Sequence, residues 1–77
     1  MNDREKLLEI LNDIKPDVEF EGITDLSSGQ VLKSFDIMVL IGEIAEEFDI
    51  DIPVEEVLPE NFESVDSILA LIGKCRG

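Results

Sequence analysis

The chain contains no histidine, no tryptophan and no tyrosine, and a single cysteine. The missing histidine removes Ser-His-Asp and Cys-His catalysis, His-ligated metal centres and the usual general base near neutral pH. Carboxylate pairs remain, but on exposed helices they are solvated faces far more often than acid/base dyads, so the chain is expected not to be an enzyme. One cysteine, Cys75, excludes an internal disulfide, and its place in the end segment GKCRG reads as an incidental thiol in a frayed tail. Basic residues are scarce as well: six against 19 acidic ones, a formal charge of −13. That field repels nucleic acid and anionic lipid and draws basic protein surfaces toward the domain. No apolar run approaches the roughly 18 residues of a membrane span, and the first residues carry no apolar leader segment. The expectation is a cytoplasmic monomer that neither enters a membrane nor binds nucleic acid.

What is present is a compact aliphatic pattern. The 77 residues, 44% apolar with four phenylalanines, make one domain, 1–77, near the size at which a single core only just offsets chain entropy. Leu7, Ile10, Leu11 and Ile14 follow i, i+3, i+4, i+7 spacing with Leu8 beside them, which predicts a helix from Asn2 to Lys15. Asn2 or Asp3 caps it, and Pro16 stops it. Residues 16–33 hold no sustained period, and Gly22, Ser27, Ser28 and Gly29 mark turns. Val18, Phe20, Ile23, Leu26, Val31 and Leu32 nevertheless punctuate this long first loop, so it is expected to be pinned across the helix ends.

The strongest helix is expected from Phe35 to Phe48, opened by Ser34. Ile37, Leu40, Ile41, Ile44, Ala45 and Phe48 form its inner stripe. Phe35, Val39, Gly42 and Glu46 fall on the opposite side, Met38 on the boundary, and Glu43 and Glu47 flank the outer face. Pro53 and Pro59 permit one short helix between them, Val54 to Leu58. Ser64 caps a last helix in which Val65, Ile68, Leu69 and Ile72 recur up to Gly73. The expected fold is therefore all-α, a small four-helix bundle of three longer helices and one short one.

Few segments carry chemistry. DIDIP, Asp49 to Pro53, lacks the glycine and spaced oxygen ligands of a calcium loop. GITDLSSG lacks the lysine of a phosphate loop and joins no strand to a helix. Ser34 remains. It is either a plain helix cap or a hydroxyl presented where a helix N-terminus stabilises an attached anion. The neighbouring face weighs toward attachment: Phe35, Met38 and Val39 add apolar surface beyond the core stripe, and Gly42 gives up about 1 kcal/mol of helix propensity where another surface could approach closely. Ringed by Asp36, Glu43, Glu46 and Glu47, that face has the makeup of a docking site for a basic partner.

KSFDIMVLIGEIAEEFDIDIP, Lys33 to Pro53, followed by PENFESVDSI, Pro59 to Ile68, resembles the acyl carrier protein family, and the likeness spans most of the chain. The family pattern is an Asp-Ser-Leu-like triplet opening the second helix, an apolar helix ending in an acidic pair and Phe, then an Ile-x-Ile-Pro turn. Ser34, Glu46, Glu47, Phe48, Ile50, Ile52 and Pro53 fall on it. The resemblance implies that Ser34 is the attachment point of 4′-phosphopantetheine, transferred from coenzyme A by a phosphopantetheinyl transferase. The arm's thiol would hold acyl or aminoacyl groups as thioesters for fatty-acid, lipid, polyketide or peptide-type synthesis. Loading and transferring enzymes with basic docking patches would meet Lys33, Phe35, Asp36, Met38, Val39 and Gly42, together with Glu43, Glu46 and Glu47. Two positions depart from the pattern. Lys33 stands where the family carries Asp before the serine, which reverses the charge offered to the transferase, and Val39 stands where many fatty-acid carriers are acidic. Modification by a standard transferase that is slow or absent, and faster in Lys33→Asp, is the expectation. The alternative is an acidic helical adaptor of the same fold without a prosthetic group, binding proteins through Phe35, Met38 and Val39.

Overall fold

A computed structural model describes residues 2–76. Among these the regular structure is helical throughout: α1 (Asp3–Ile14), α2 (Ser34–Phe48), two 3-10 turns at Val54–Glu56 and Pro59–Phe62, and α3 (Val65–Arg76). Among the described residues no helix is long and apolar enough to cross a membrane. α1 packs against both α2 and α3, and the second 3-10 turn packs against α3.

α1 starts where a reciprocal cap fixes it. The Asn2 side chain accepts from the Glu5 N–H at 2.8 Å, and the Glu5 carboxylate accepts from the Asn2 N–H at 3.1 Å, so two otherwise orphaned donors are satisfied. Leu7 and Leu11 are fully buried and Ile10 nearly so. Lys15 closes the helix, its N–H bonded to the Leu11 carbonyl at 2.8 Å, and Pro16 follows.

The long loop is pinned, as its apolar residues require. Phe20, Leu26 and Leu32 enter the same core cluster as the helices, each contributing about 1.5–3 kcal/mol by leaving water. The Leu26 N–H donates to the Glu63 carbonyl at 2.9 Å, and the Leu32 N–H to the Leu26 carbonyl at 2.8 Å. Between them Gly29 passes so close to Asp25 that a Cβ there would lie 2.6 Å from the Asp25 carbonyl oxygen. The Glu63 carboxylate completes the fastening by accepting from the Ser27 and Ser28 N–H groups, both at 3.0 Å, and from the Ser28 hydroxyl at 3.2 Å. Those donors, the Ser28 N–H foremost, hold the Glu63 carboxyl below its ordinary range.

The inner stripe of α2 is as expected: Leu40, Ile44 and Phe48 are buried, and Ile37, Ile41 and Ala45 are half-buried at its margins. Asp49 ends the helix in the left-handed region at φ 54°, a conformation that aspartate tolerates better than most residues.

Two expectations change. The short helix from Val54 to Leu58 is replaced by the two 3-10 turns, so the described residues form three α-helices and not four. A single turn fits between the prolines, and Pro59 lacks the N–H that would carry it onward. The segment Gly73 to Arg76 is also more ordered than its composition implied, while Gly77, the last residue of the expected frayed tail, lies outside the described residues. α3 begins at the expected cap, where the Ser64 and Ser67 side chains each accept from the other's N–H at 3.0 Å. It then continues past Gly73 through Lys74, Cys75 and Arg76. Lys74 and Arg76 favour the negative helix end and pair with Glu56 at 2.8 Å and Asp3 at 2.9 Å. Cys75 is accordingly half-buried and packed against the core.

Candidate functional site: the start of α2

Ser34 occupies the first helical position of α2 and is exposed. It does not cap the helix. The cap position belongs to Lys33, whose backbone is extended and whose carbonyl accepts from the Ile37 N–H at 2.9 Å. Lysine has no side-chain acceptor, so the orphaned Lys33 N–H is satisfied from the other direction, by the Asp36 carboxylate at 3.1 Å. Asp36 also receives the Lys15 ammonium at 3.3 Å across the end of α1. The Lys33 N–H first, and then Lys15, lower the Asp36 pKa from its ordinary value. The capping role considered for Ser34 thus falls to Asp36, and the serine hydroxyl has no hydrogen-bond partner among the described residues.

Two hollows meet at Ser34. One, of about 390 Å³, is lined by Ser27, Gln30, Lys33 and Ser34, with Leu32 and Ile37 behind them. The other, of about 270 Å³, is mainly apolar and runs from Ser34 past Met38, Leu58 and Pro59 to Phe62. Phe62 itself is fully buried, so this second hollow ends against the core.

The outer face of α2 stands clear of the fold. Phe35 is 75% exposed, Met38 72% and Val39 37%; Gly42 is exposed, and a Cβ added there would meet nothing within 4 Å. The acidic residues do not share one cluster. Glu43 and Glu47 border a shallow groove with Lys6, Glu9 and Asp13 of α1. Glu46 borders another with Asp49 and Asp51. Asp36 is half-buried and committed to the helix start, so the exposed rim consists of Glu43, Glu46 and Glu47. Among the described residues no group of three or more metal-ligating side chains converges.

Sequence reasoning did not find the exposure of Val54 and Leu58, 83% and 41% open to solvent, of which Leu58 borders the apolar hollow beside Met38. Pro53 and Pro59 were the available signal. Between them a helical period cannot develop, so apolar residues there need not point inward. No family model, curated protein or solved structure matches this chain.

Proposed function

We propose that the protein is a carrier domain of the acyl-carrier type, modified on Ser34 with 4′-phosphopantetheine. The observation that carries this reading is an exposed hydroxyl at the first position of α2 with no structural duty, bordered by an apolar face with acidic flanks. The residues present fit the group: Ser34 is open to a modifying enzyme, and the hollows on either side leave room for a substituent on its oxygen. In the transfer, the Ser34 Oγ–phosphorus bond forms as the pyrophosphate P–O bond of coenzyme A breaks. Adenosine 3′,5′-bisphosphate leaves, and the hydroxyl proton passes to a base of the transferase. When bound, the group supplies a terminal thiol that carries acyl or aminoacyl chains as thioesters.

The chain's own contribution is presentation. α2 fixes Ser34 at a defined corner, Asp36 and Lys15 hold that corner together, and Phe35, Met38 and Val39 offer the apolar centre of a docking surface. Glu43, Glu46 and Glu47 supply charge opposite to a basic partner. The two 3-10 turns take the place of a short third helix in a four-helix carrier, and they bring Leu58 beside the site.

Intact-mass measurement after incubation with coenzyme A and a broad-specificity phosphopantetheinyl transferase tests the reading. A gain equal to the phosphopantetheine group that is absent in Ser34→Ala supports it, with Lys33→Asp loading faster. No gain with either Lys33 or Asp at position 33 would leave the adaptor, for which the lysine beside Ser34 is the favouring observation.

A further inference from the structure

Of the six basic residues, five have a partner within the fold. Arg4 pairs with Glu21 at 2.6 Å and with Asp66, Lys15 with Asp36, Lys74 with Glu56, and Arg76 with Asp3. Lys6 stands over the Phe48 ring at 5.4 Å. Lys33 forms no ion pair and stands over no aromatic ring among the described residues, in a chain with 19 carboxylates to choose from; its charge only adds, as the weakest of the causes, to the lowering of the Asp36 pKa. The nearest carboxylate in sequence, Asp36, is already taken by the Lys33 N–H and by Lys15. Lys33 instead borders the 390 Å³ hollow together with Ser27, Gln30 and Ser34. Gln30, exposed and held in the left-handed region at φ 62°, brings an amide donor to the same hollow.

We infer that Lys33 is the counter-ion of a phosphodiester on Ser34, holding the root of the attached arm over the Ser27/Gln30 hollow. This rests on the proposed modification of Ser34 and adds a specific role for the residue that departs from the family pattern. A phosphodiester brings one more negative charge to a chain of net −13, and Lys33 is the cation adjacent to the bond. An exposed pair of this kind contributes about 0.2–1 kcal/mol and is screened by salt. That suffices to bias where the arm leaves the surface, and it is weak enough to release the arm to a partner enzyme. Lys33 then serves two opposing ends. It hampers a transferase that expects an acidic residue before the serine, and it steadies the product once formed.

The test uses the 77-residue chain loaded from coenzyme A, with loading verified by intact mass. Phosphorus-31 NMR of the phosphodiester is compared in the wild type, Lys33→Gln and Lys33→Arg. The resonance is expected to move in Lys33→Gln, to stay near the wild-type position in Lys33→Arg, and to approach the Lys33→Gln position when the wild type is taken to about 1 M salt. In parallel, acylation of the Lys33 amine by a water-soluble active ester should slow about two- to five-fold on loading, a factor that corresponds to the upper part of that energy range. The protection should vanish in high salt, which steric cover by the arm would not do. A mass gain with the same phosphorus resonance in all three proteins, or with Lys33 acylated equally before and after loading, overturns this inference and leaves the carrier reading standing. No mass gain in these proteins or in Lys33→Asp overturns both, and a gain confined to Lys33→Asp overturns this inference alone.

Discussion

Gly42 offers the sharpest check on the outer face of α2. It is the ninth of the 15 residues of the helix, exposed, with open space where a side chain would stand. Replacing a mid-helix glycine by alanine reduces the backbone entropy lost on folding and adds about 1 kcal/mol of stability when the methyl group meets nothing. For a domain whose total stability should be about 4–12 kcal/mol, Gly42→Ala should raise Tm by about 4–8 °C. In urea the midpoint should move up at constant slope. Far-UV circular dichroism during heating and urea titration measures both. The same methyl group thickens the surface between Met38, Val39 and Glu46, so the rate of transferase loading should fall while stability rises. A glycine kept at a stability cost for the sake of a close approach predicts that pair of opposite changes. A lowered Tm would mean that the methyl strikes something and that the face is covered. A raised Tm with undiminished loading would refute the close-approach reasoning.

Three further outcomes are expected. Met38→Glu should slow loading and weaken docking with Tm shifted by no more than about 2–4 °C, since a residue 72% exposed lies outside the core; a collapse in melting would place Met38 inside. Leu26→Ala, although in a loop, should cost about 2–5 kcal/mol in urea denaturation because the side chain is fully buried, whereas Val54→Ala should stay within about 0.5 kcal/mol. Glu63 has a lowered pKa in the folded state, so the stability it contributes is complete above its ordinary value of 4.5 and is lost as pH falls through the lower folded value. Urea midpoints measured from pH 6 down to about pH 3 should therefore fall more steeply for the wild type than for Glu63→Gln, and parallel curves would show that the carboxylate does not fasten the loop.

The helices were legible because each was over-determined. α2 carries an apolar stripe that repeats through its full length, and α1 carries its stripe between an Asn2/Glu5 box and Pro16. The loop was legible in part. Its apolar residues implied burial, and Phe20, Leu26 and Leu32 are buried. The Glu63 carboxylate that fastens it, however, lies 35 residues beyond Ser28, and a pairing at that separation has no periodic signature. Val54 and Leu58 escaped for the converse reason. Without a helical period, nothing in the sequence distinguishes an apolar residue that faces the core from one that faces water. At the site, the exposure of Phe35, Met38 and Val39 followed from helix geometry. The assignment of the cap did not, because Ser34 and Asp36 are both capping residue types two positions apart, and the start of α2 decides between them.

That decision gives Ser34→Ala its value. Had Ser34 capped α2, alanine would cost about 0.5–2 kcal/mol, and a lost modification could be laid to a frayed helix start. Asp36 satisfies the Lys33 N–H instead, and Lys15 holds Asp36 from α1. Ser34 is one residue inside the helix and exposed, where alanine is at least as good a helix former. Ser34→Ala should therefore keep its stability within about 0.5 kcal/mol of the wild type, while Asp36→Ala, which strips the cap and strands Lys15, should lose more than that. Urea denaturation of the two variants side by side measures the difference. If Ser34→Ala proves the more damaging, the hydroxyl has a structural duty after all, and the case for a group attached to it weakens at its root. If it is neutral, any mass gain lost with it is lost for want of one oxygen.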